Sequence, residues 1–172
     1  MTLNAGGLWK KNTGAVGFSS TKSDWDTPQA FYDKLDKTFG FTLDPCATTN
    51  SAKCNKYFTE KQNGLIQDWT GHRVFVNPPY GRNIGEWLKK GYHESQNHNT
   101  IVVMLVPART DTKWWHDYVM KANEVHLVRG RLKFGTSDNA APFPSAVVVF
   151  HSNVLYKPPV ALSPEFYAME RP

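Results

Sequence analysis

The sequence predicts an α/β domain built on a mainly parallel sheet with an antiparallel edge strand. Short apolar segments alternate with helical ones along most of the 172 residues, and this order of elements is typical of βαβ units. The last two apolar segments, 131–134 and 146–150, are separated by a turn-rich stretch with no room for a helix. That arrangement predicts a hairpin-like pair and therefore an antiparallel strand at one edge of the sheet.

The first helix has clear signals at both ends. Thr27 suits the N-cap and Pro28 suits the first helical position. Apolar residues then recur at four-residue steps on one face as far as Phe39, and Gly40 ends the pattern. We expect a helix that packs this apolar face on the sheet.

The remaining elements follow in chain order. We expect a strand at 41–43, a short helix leading into an extended segment at 56–59, a strand at 73–76, a helix at 84–95, a strand at 101–106, a helix at 112–121 and a strand at 125–128. Three of the strands end in unusual residues: Asp44-Pro45, Asn77-Pro78-Pro79-Tyr80 and residues 107–111. Because ligands bind at the carboxyl ends of strands in such sheets, these ends predict the site.

Charge is distributed unevenly along the chain. The net charge is +5, and the surplus lies in residues 1–22 and 81–156, whereas residues 23–80 carry one more acid than base. The first 22 residues are also rich in Gly, Ser, Thr and Asn, which predicts a flexible basic arm. We expect a single domain at 23–156 and a Pro-rich tail at 157–172. The mild basicity admits an anionic partner without establishing one.

Several classes of protein are disfavoured by composition. No apolar run approaches the ~20 residues of a membrane-spanning helix, so we expect no membrane partner. Cys46 and Cys54 are too few for a disulfide scaffold or a four-ligand zinc site, and the six histidines lack metal-ligand spacing. We expect no metal and a reducing cytoplasm. No phosphate-binding loop of the Gly-Lys-Ser/Thr type occurs.

The segment Asn77-Pro78-Pro79-Tyr80 is the most specific feature of the sequence. Two prolines after a buried strand end the strand and hold the backbone rigid and extended. The Asn77 side-chain oxygen and the Pro78 carbonyl can each accept one N–H of an exocyclic amine. Tyr80 can stack on a flat ring, a contact worth roughly 1–3 kcal/mol. These residues suit a heterocycle that carries an amine, whereas the structural alternative is a Pro-Pro turn with a surface tyrosine.

With these motifs in order, the chain resembles the phage-type DNA N6-adenine methyltransferase (Dam) family. The resemblance runs through residues 24–28, 41–47, 63–69, 77–80, 105–112 and 129–134. It implies a Rossmann-like class I methyltransferase fold, with residues 23–156 as the catalytic domain. It also implies methyl transfer from S-adenosylmethionine to N6 of adenine in duplex DNA, with the target base flipped into a pocket formed by Asn77, Pro78, Pro79 and Tyr80.

The same resemblance implies a set of cofactor-binding residues: Trp25, Thr27, Pro28, Asp44, Pro45, Cys46, Ala47, Glu60, Asn63, Gly64, Leu65 and Asp68. Asp44 would accept a hydrogen bond from the cofactor ammonium, although an Asp-Pro turn is the structural alternative. Asn63 stands where the family usually has an acid, so Asp68 is a rival for that role. Glu60 either binds the ribose hydroxyls or is a surface glutamate. Glycine is absent between Gly40 and Gly64, unlike in broader methyltransferases.

Later motifs are expected to form the substrate side of the site. The residues are Arg109, Thr110, Asp111, Arg129, Arg131, Lys133 and Phe134, with Phe134 as a wedge or stacking residue. The arginines could equally be solvated charges. We expect a monomer or weak dimer in the cytoplasm of a bacterial host. Two alternatives stay open: methylation of an RNA base or a protein glutamine amide, and a non-catalytic DNA-binding module.

Overall fold

The computed structural model describes residues 26–135 and 139–152. The predicted arm at 1–22, the predicted tail at 157–172 and Trp25 therefore lie outside the described residues. Within the described ranges, no helix is long and apolar enough to cross a membrane.

A six-stranded sheet with helices on both faces forms the structure, and the predicted fold class is confirmed. The strands are β1 Leu43–Ala47, β2 Lys56–Thr59, β3 Arg73–Val76, β4 Ile101–Pro107, β5 Glu124–Leu127 and β6 Ser145–His151. The helices are α1 Gln29–Phe39, α2 Ile84–Glu94 and α3 Lys113–Asp117, with 3₁₀ turns at Gly64–Ile66 and Val119–Lys121. The strand order is β2-β1-β3-β4-β6-β5, and β6 is antiparallel to both of its neighbours.

Two apolar layers hold the sheet between its helices. Alternate residues of the central strands point to opposite faces. One face packs on α1 through residues such as Phe75, and the other packs on α2 and α3 through residues such as Val76. The segment between β5 and β6 joins the α1 face, where Leu132 and Phe143 are buried. Both faces of the sheet are therefore buried, which explains why β4 is apolar at every position.

The crevice between β1 and β3 is a topological switch point. The chain leaves β1 to form β2 on one side, and then crosses to form β3 on the other side. The two strands pair in register only at Leu43 and Val74. Crossovers that leave in opposite directions open a gap at the carboxyl ends of the strands, which is where open α/β sheets bind ligands.

Four local predictions need correction. Arg131–Phe134 forms no strand, so β6 pairs with β4 and β5 instead. A hydrogen-bonded turn at 48–51 replaces the short helix expected before β2, because Thr48 and Ser51 bond to each other. The helix expected at 112–121 divides into α3 and a 3₁₀ turn. Finally, β1 runs through Pro45 and does not end there, with a register shift between Asp44 and Ala47 where proline cannot donate.

Candidate active site at the carboxyl edge of the sheet

Asn77 is fixed by a hydrogen bond to Thr27, two residues before the start of α1. It follows β3 and falls on the α1 face of the sheet by alternation, because Phe75 lies on that face. The Asn77 Nδ2 atom donates to Thr27 Oγ1 at 3.0 Å, and Thr27 is only 4% exposed. The Asn77 Oδ1 atom is buried. The N-cap of α1 is Pro28, with no side-chain cap bond, so the prediction that Thr27 caps this helix is wrong.

Tyr80 is held among aromatic rings from the segment between β5 and β6. Its ring meets Phe143 at 5.3 Å and Phe134 at 5.9 Å between centroids, both edge to face. The Tyr80 hydroxyl lies 3.4 Å from the carbonyl oxygen of Leu105 on β4. Burial raises the pKa of Tyr80 far above its usual range, so the hydroxyl stays neutral. Phe134 is 2% exposed and lies behind Tyr80, where its ring faces no solvent.

Asp44 is buried in β1 with its carboxylate bonded to backbone amides. Oδ1 accepts from the Cys46 N–H and Oδ2 accepts from the Lys53 N–H, each at 3.1 Å. Asp44 is 4% exposed. Backbone N–H donors of this kind suit a carboxylate, and they fix the Asp44 side chain near the start of β1.

A cavity of about 260 Å³ lies beside these strand ends. Its lining comes from Pro45, Thr59, Glu60, Asn63, Gly64, Pro79, Asn83 and Trp87. These residues belong to β1, the turn after β2, the Asn77–Tyr80 motif and the start of α2. Pockets for small molecules begin at roughly 300 Å³, so this cavity is of the size that takes one part of a cofactor.

Gly64 allows the 3₁₀ turn to touch the middle of β1 at Pro45. A Cβ atom at this position would lie 1.9 Å from the carbonyl oxygen of Pro45, so only glycine permits the approach. Asn63 adopts a left-handed conformation at φ 52°, and its Oδ1 accepts from the Leu65 N–H. The buried Trp69 donates its indole N–H to the carbonyl oxygen of Gly64 at 3.0 Å. The turn is thus locked against the cavity.

Other residues predicted to bind the cofactor lie farther from the cavity. Leu65 packs into the α2 face, and Ala47 is buried at the end of β1. Asp68 is exposed, and hydrogen bonds from the Thr70 side chain and from the Thr70 N–H lower the pKa of Asp68. Asp68 does not line the cavity, whereas Asn63 and Glu60 do.

The residues predicted to contact DNA lie on the same edge of the sheet. Arg109, Thr110 and Asp111 are exposed in the turn after β4. In the segment after β5, the charged side chains of Arg129, Arg131 and Lys133 are exposed, while Leu132 and Phe134 are buried. A backbone hydrogen bond from the Ala141 N–H to the Leu132 carbonyl oxygen, at 2.8 Å, fixes the position of this segment.

Four contributors to this site were missed by the sequence analysis: Thr59, Asn83, Trp87 and Phe143. Asn83 and Trp87 are four residues apart at the start of α2, so they share one helix face next to the Asn77–Tyr80 motif. That spacing was a usable signal. Phe143 gave none, because its place beside Tyr80 depends on the path of an irregular segment.

Comparison with known proteins identifies the family of this chain. A family model described as DNA N-6-adenine-methyltransferase (Dam) matches residues 17–156. The chain belongs to the Dam family. A DNA N-6-adenine-methyltransferase of Haemophilus phage HP1 is 30% identical over 145 residues, covering 80% of this chain and 83% of that relative.

Two further relatives extend the comparison. A DNA N-6-adenine-methyltransferase of Escherichia phage T1 is 31% identical over 110 residues, covering 63% of this chain but only 45% of that protein. A putative methyltransferase of Escherichia coli K12, YfdM, is 31% identical over 77 residues, covering 41% of this chain and 85% of that protein.

Membership of the Dam family makes the chain an adenine-specific DNA methyltransferase. A reaction of this kind needs a methyl donor and a DNA substrate. Across residues 26–135 and 139–152, no three His, Cys, Asp or Glu side chains are grouped so that they could hold a metal ion.

Proposed function

We propose that the protein transfers a methyl group from S-adenosylmethionine to N6 of adenine in duplex DNA, at the Asn77–Tyr80 motif. The observation that carries the proposal is the position of this motif. It ends β3 at the switch point, beside a cavity that Pro79 shares with Pro45 and Gly64. A motif suited to accept an amine and a cavity that can take one part of a cofactor thus lie side by side.

The residues around the cavity fit a nucleoside-bearing cofactor. Gly64 lets the turn close directly on Pro45 at the cavity wall, and the Glu60 carboxylate, which also lines the cavity, can accept hydrogen bonds from ribose hydroxyls. Asp44 keeps a carboxylate close to Pro45, which suits a cationic ammonium group. When bound, S-adenosylmethionine supplies an electrophilic methyl group on a sulfonium centre.

Asn77 and Pro78 would prepare the attacking amine. The N6 lone pair of adenine is conjugated with the ring and is a poor nucleophile. Hydrogen bonds from N6–H to Asn77 Oδ1 and to the Pro78 carbonyl favour the pyramidal nitrogen that develops in the transition state. The methylated nitrogen then releases its extra proton to water, so no strong general base is required.

The target base has to leave the helix stack before it reaches Asn77. Flipping costs a few kcal/mol, and stacking on an aromatic ring recovers part of that cost. Tyr80 is the aromatic residue of the motif, and its edge contacts with Phe134 and Phe143 set the plane of its ring. The exposed cations after β5 would contact DNA phosphates.

We infer that the enzyme works in the cytoplasm of a bacterial host.

A nucleoside assay tests the proposed reaction. The protein is incubated with S-adenosylmethionine and unmethylated duplex DNA, the DNA is digested, and N6-methyladenine is measured by mass spectrometry. RNA and a glutamine peptide serve as parallel substrates. N6-methyladenine in DNA is the expected product. Product on RNA or peptide alone, or DNA binding with no product, would reject the proposal.

Replacing Asn77 tests its assigned role. We expect Asn77→Ala to lower the rate of methylation by about 10²-fold or more, the loss typical of removing one transition-state hydrogen bond. Affinity for S-adenosylmethionine, measured by calorimetry, should change little because Asn77 does not line the cavity.

Asn97→Ala is the matched control for this substitution. The Asn97 Nδ2 atom also donates to a threonine hydroxyl, that of Thr70, but it does so far from the motif and after α2. Its rate should equal that of the unmodified protein. A near-normal rate in Asn77→Ala would show that Asn77 does not accept the amine.

A further inference from the structure

We infer that Thr27 is a positioning residue for the methyl transfer, because its hydroxyl holds the Asn77 amide in the orientation that presents the oxygen to the target amine. The inference rests on the proposed function and goes beyond it. The resemblance to the Dam family implies only that Thr27 touches the cofactor, whereas the structure bonds this side chain to Asn77.

Thr27 does not cap α1. A threonine next to a helix start normally caps the helix. Here α1 starts after Pro28, and no side chain caps it. The Thr27 side chain is instead 4% exposed and accepts the Asn77 N–H at 3.0 Å. Its hydroxyl is therefore bonded to the Asn77–Tyr80 motif rather than to α1.

The side-chain amide of Asn77 has one end that donates hydrogen bonds and one end that accepts them. The Nδ2 and Oδ1 atoms of Asn77 lie on opposite sides of one planar group. With Nδ2 bonded to Thr27, the buried Oδ1 is directed away from Thr27, and the target amine has to displace the groups that cover it. A rotated amide would present N–H groups to the N–H groups of the target amine, and these cannot bond. The amide orientation thus decides whether Asn77 can act as an acceptor.

The segment that carries Thr27 is held by hydrogen bonds at two neighbouring residues. The neighbouring Asp26 accepts the Gly135 N–H on its carbonyl oxygen at 2.8 Å. Gly135 follows Phe134, whose ring packs on Tyr80. Residues 26–27 are consequently bonded to the motif on one side and to the segment behind Tyr80 on the other.

The test compares Thr27→Val, which keeps the shape but loses the hydroxyl, with Thr27→Ser, which keeps the hydroxyl. We expect Thr27→Val to lower kcat for N6-methyladenine formation roughly 10- to 100-fold, as misplacement of a reacting group does. Thr27→Ser should restore most of that loss, and the Kd of S-adenosylmethionine should stay within about threefold in both variants.

Thr100→Val is the matched control. Thr100 is 2% exposed, and its hydroxyl accepts the Gly71 N–H at 2.9 Å, away from the motif. Its kcat should be unchanged. An independent readout is hydrogen exchange of the Asn77 side-chain NH₂, identified in ¹H–¹⁵N spectra by its absence in Asn77→Ala. Exchange should be faster in Thr27→Val and near normal in Thr27→Ser.

The possible outcomes distinguish failure of the positioning role of Thr27 from failure of the proposed function. An unchanged kcat in Thr27→Val overturns the positioning role, and so does a raised Kd for S-adenosylmethionine at unchanged kcat, which would make Thr27 a cofactor contact. An unmodified protein that makes no N6-methyladenine, with a slowly exchanging Asn77 amide, overturns the proposed function, and the positioning role with it.

Discussion

Cys54 shows how a single residue links burial to pH dependence. Its thiol lies 3.5 Å from the Tyr32 hydroxyl. Burial, with the nearby carboxylates of Asp44 and Asp36, raises the pKa of Cys54 to about 11 despite the opposing effect of the Tyr32 hydrogen bond. Burial also raises the pKa of Tyr32 above its usual range. Both groups are thus kept neutral in the folded protein.

A stability measurement at high pH tests this environment. Between the ordinary pKa of a thiol and the raised value near 11, the folded state holds more protons than the unfolded state, so the free energy of unfolding falls as pH rises. We expect Cys54→Ser to make that decline shallower in urea titrations between pH 9 and pH 11. A decline of equal steepness in the variant would mean that the Cys54 pKa is unperturbed.

At the scale of elements, the sheet and its main helices could be predicted because each carries its own periodicity. The pattern of Arg131–Phe134 misled the prediction for a physical reason. Its residues alternate between exposed and buried as in a strand. Here, however, the inward side chains pack on the α1 face and on Tyr80, and no sheet ladder forms. Alternation reports which side is buried, not what buries it.

The site was predictable in its motifs but not in the contacts between them. Asn77, Asp44 and Gly64 stand in recognisable segments, and the carboxyl-edge rule predicts a common location for them. The bond between Asn77 and Thr27 joins residues 50 positions apart. Contacts of that kind depend on how α1 meets β3, and no local pattern encodes them.

The contact between the 3₁₀ turn and β1 leads to a prediction for Gly64. In Gly64→Ala the new Cβ would overlap the Pro45 carbonyl, so the turn has to move away from β1. We expect a loss of about 1–3 kcal/mol in the free energy of unfolding, typical of overpacking. The affinity for S-adenosylmethionine should also fall roughly tenfold or more, which corresponds to a similar energy.

Gly81→Ala is the control for this substitution. Nothing lies within 4 Å of a Cβ built at Gly81, which is exposed. Its stability should change by less than about 0.5 kcal/mol. Thermal unfolding and calorimetric titration measure both quantities. Equal behaviour of the two alanine variants would contradict the close packing of Gly64.

For the molecule as a whole, the candidate site and the residues expected to contact DNA lie at the same carboxyl edge of the sheet. The chain is only mildly basic at +5, so total charge gives weak attraction to DNA. Position matters more, because exposed Arg129, Arg131 and Lys133 lie at the carboxyl edge, on the segment whose Phe134 packs on Tyr80.

The salt dependence of DNA binding tests whether the cations after β5 contact DNA. Each phosphate contact contributes about −0.9 to the slope of log Kobs against log salt. Replacing Arg129, Arg131 and Lys133 together with Gln should therefore make the slope shallower by up to about 2.7. The affinity for S-adenosylmethionine should be unchanged, because none of the three lines the cavity. Fluorescence anisotropy over a series of salt concentrations gives the slope.

A second triple variant distinguishes local contacts from net charge. Lys34 and Lys37 on α1 and Lys89 on α2 are exposed, and replacing them with Gln lowers the net charge by the same three units. If DNA is bound at the carboxyl edge, this variant should keep the slope of the unmodified protein, because screened charges away from the phosphates release no counterions. Equal changes in the two triple variants would show that binding follows total charge, and the cations after β5 would then be ordinary surface residues.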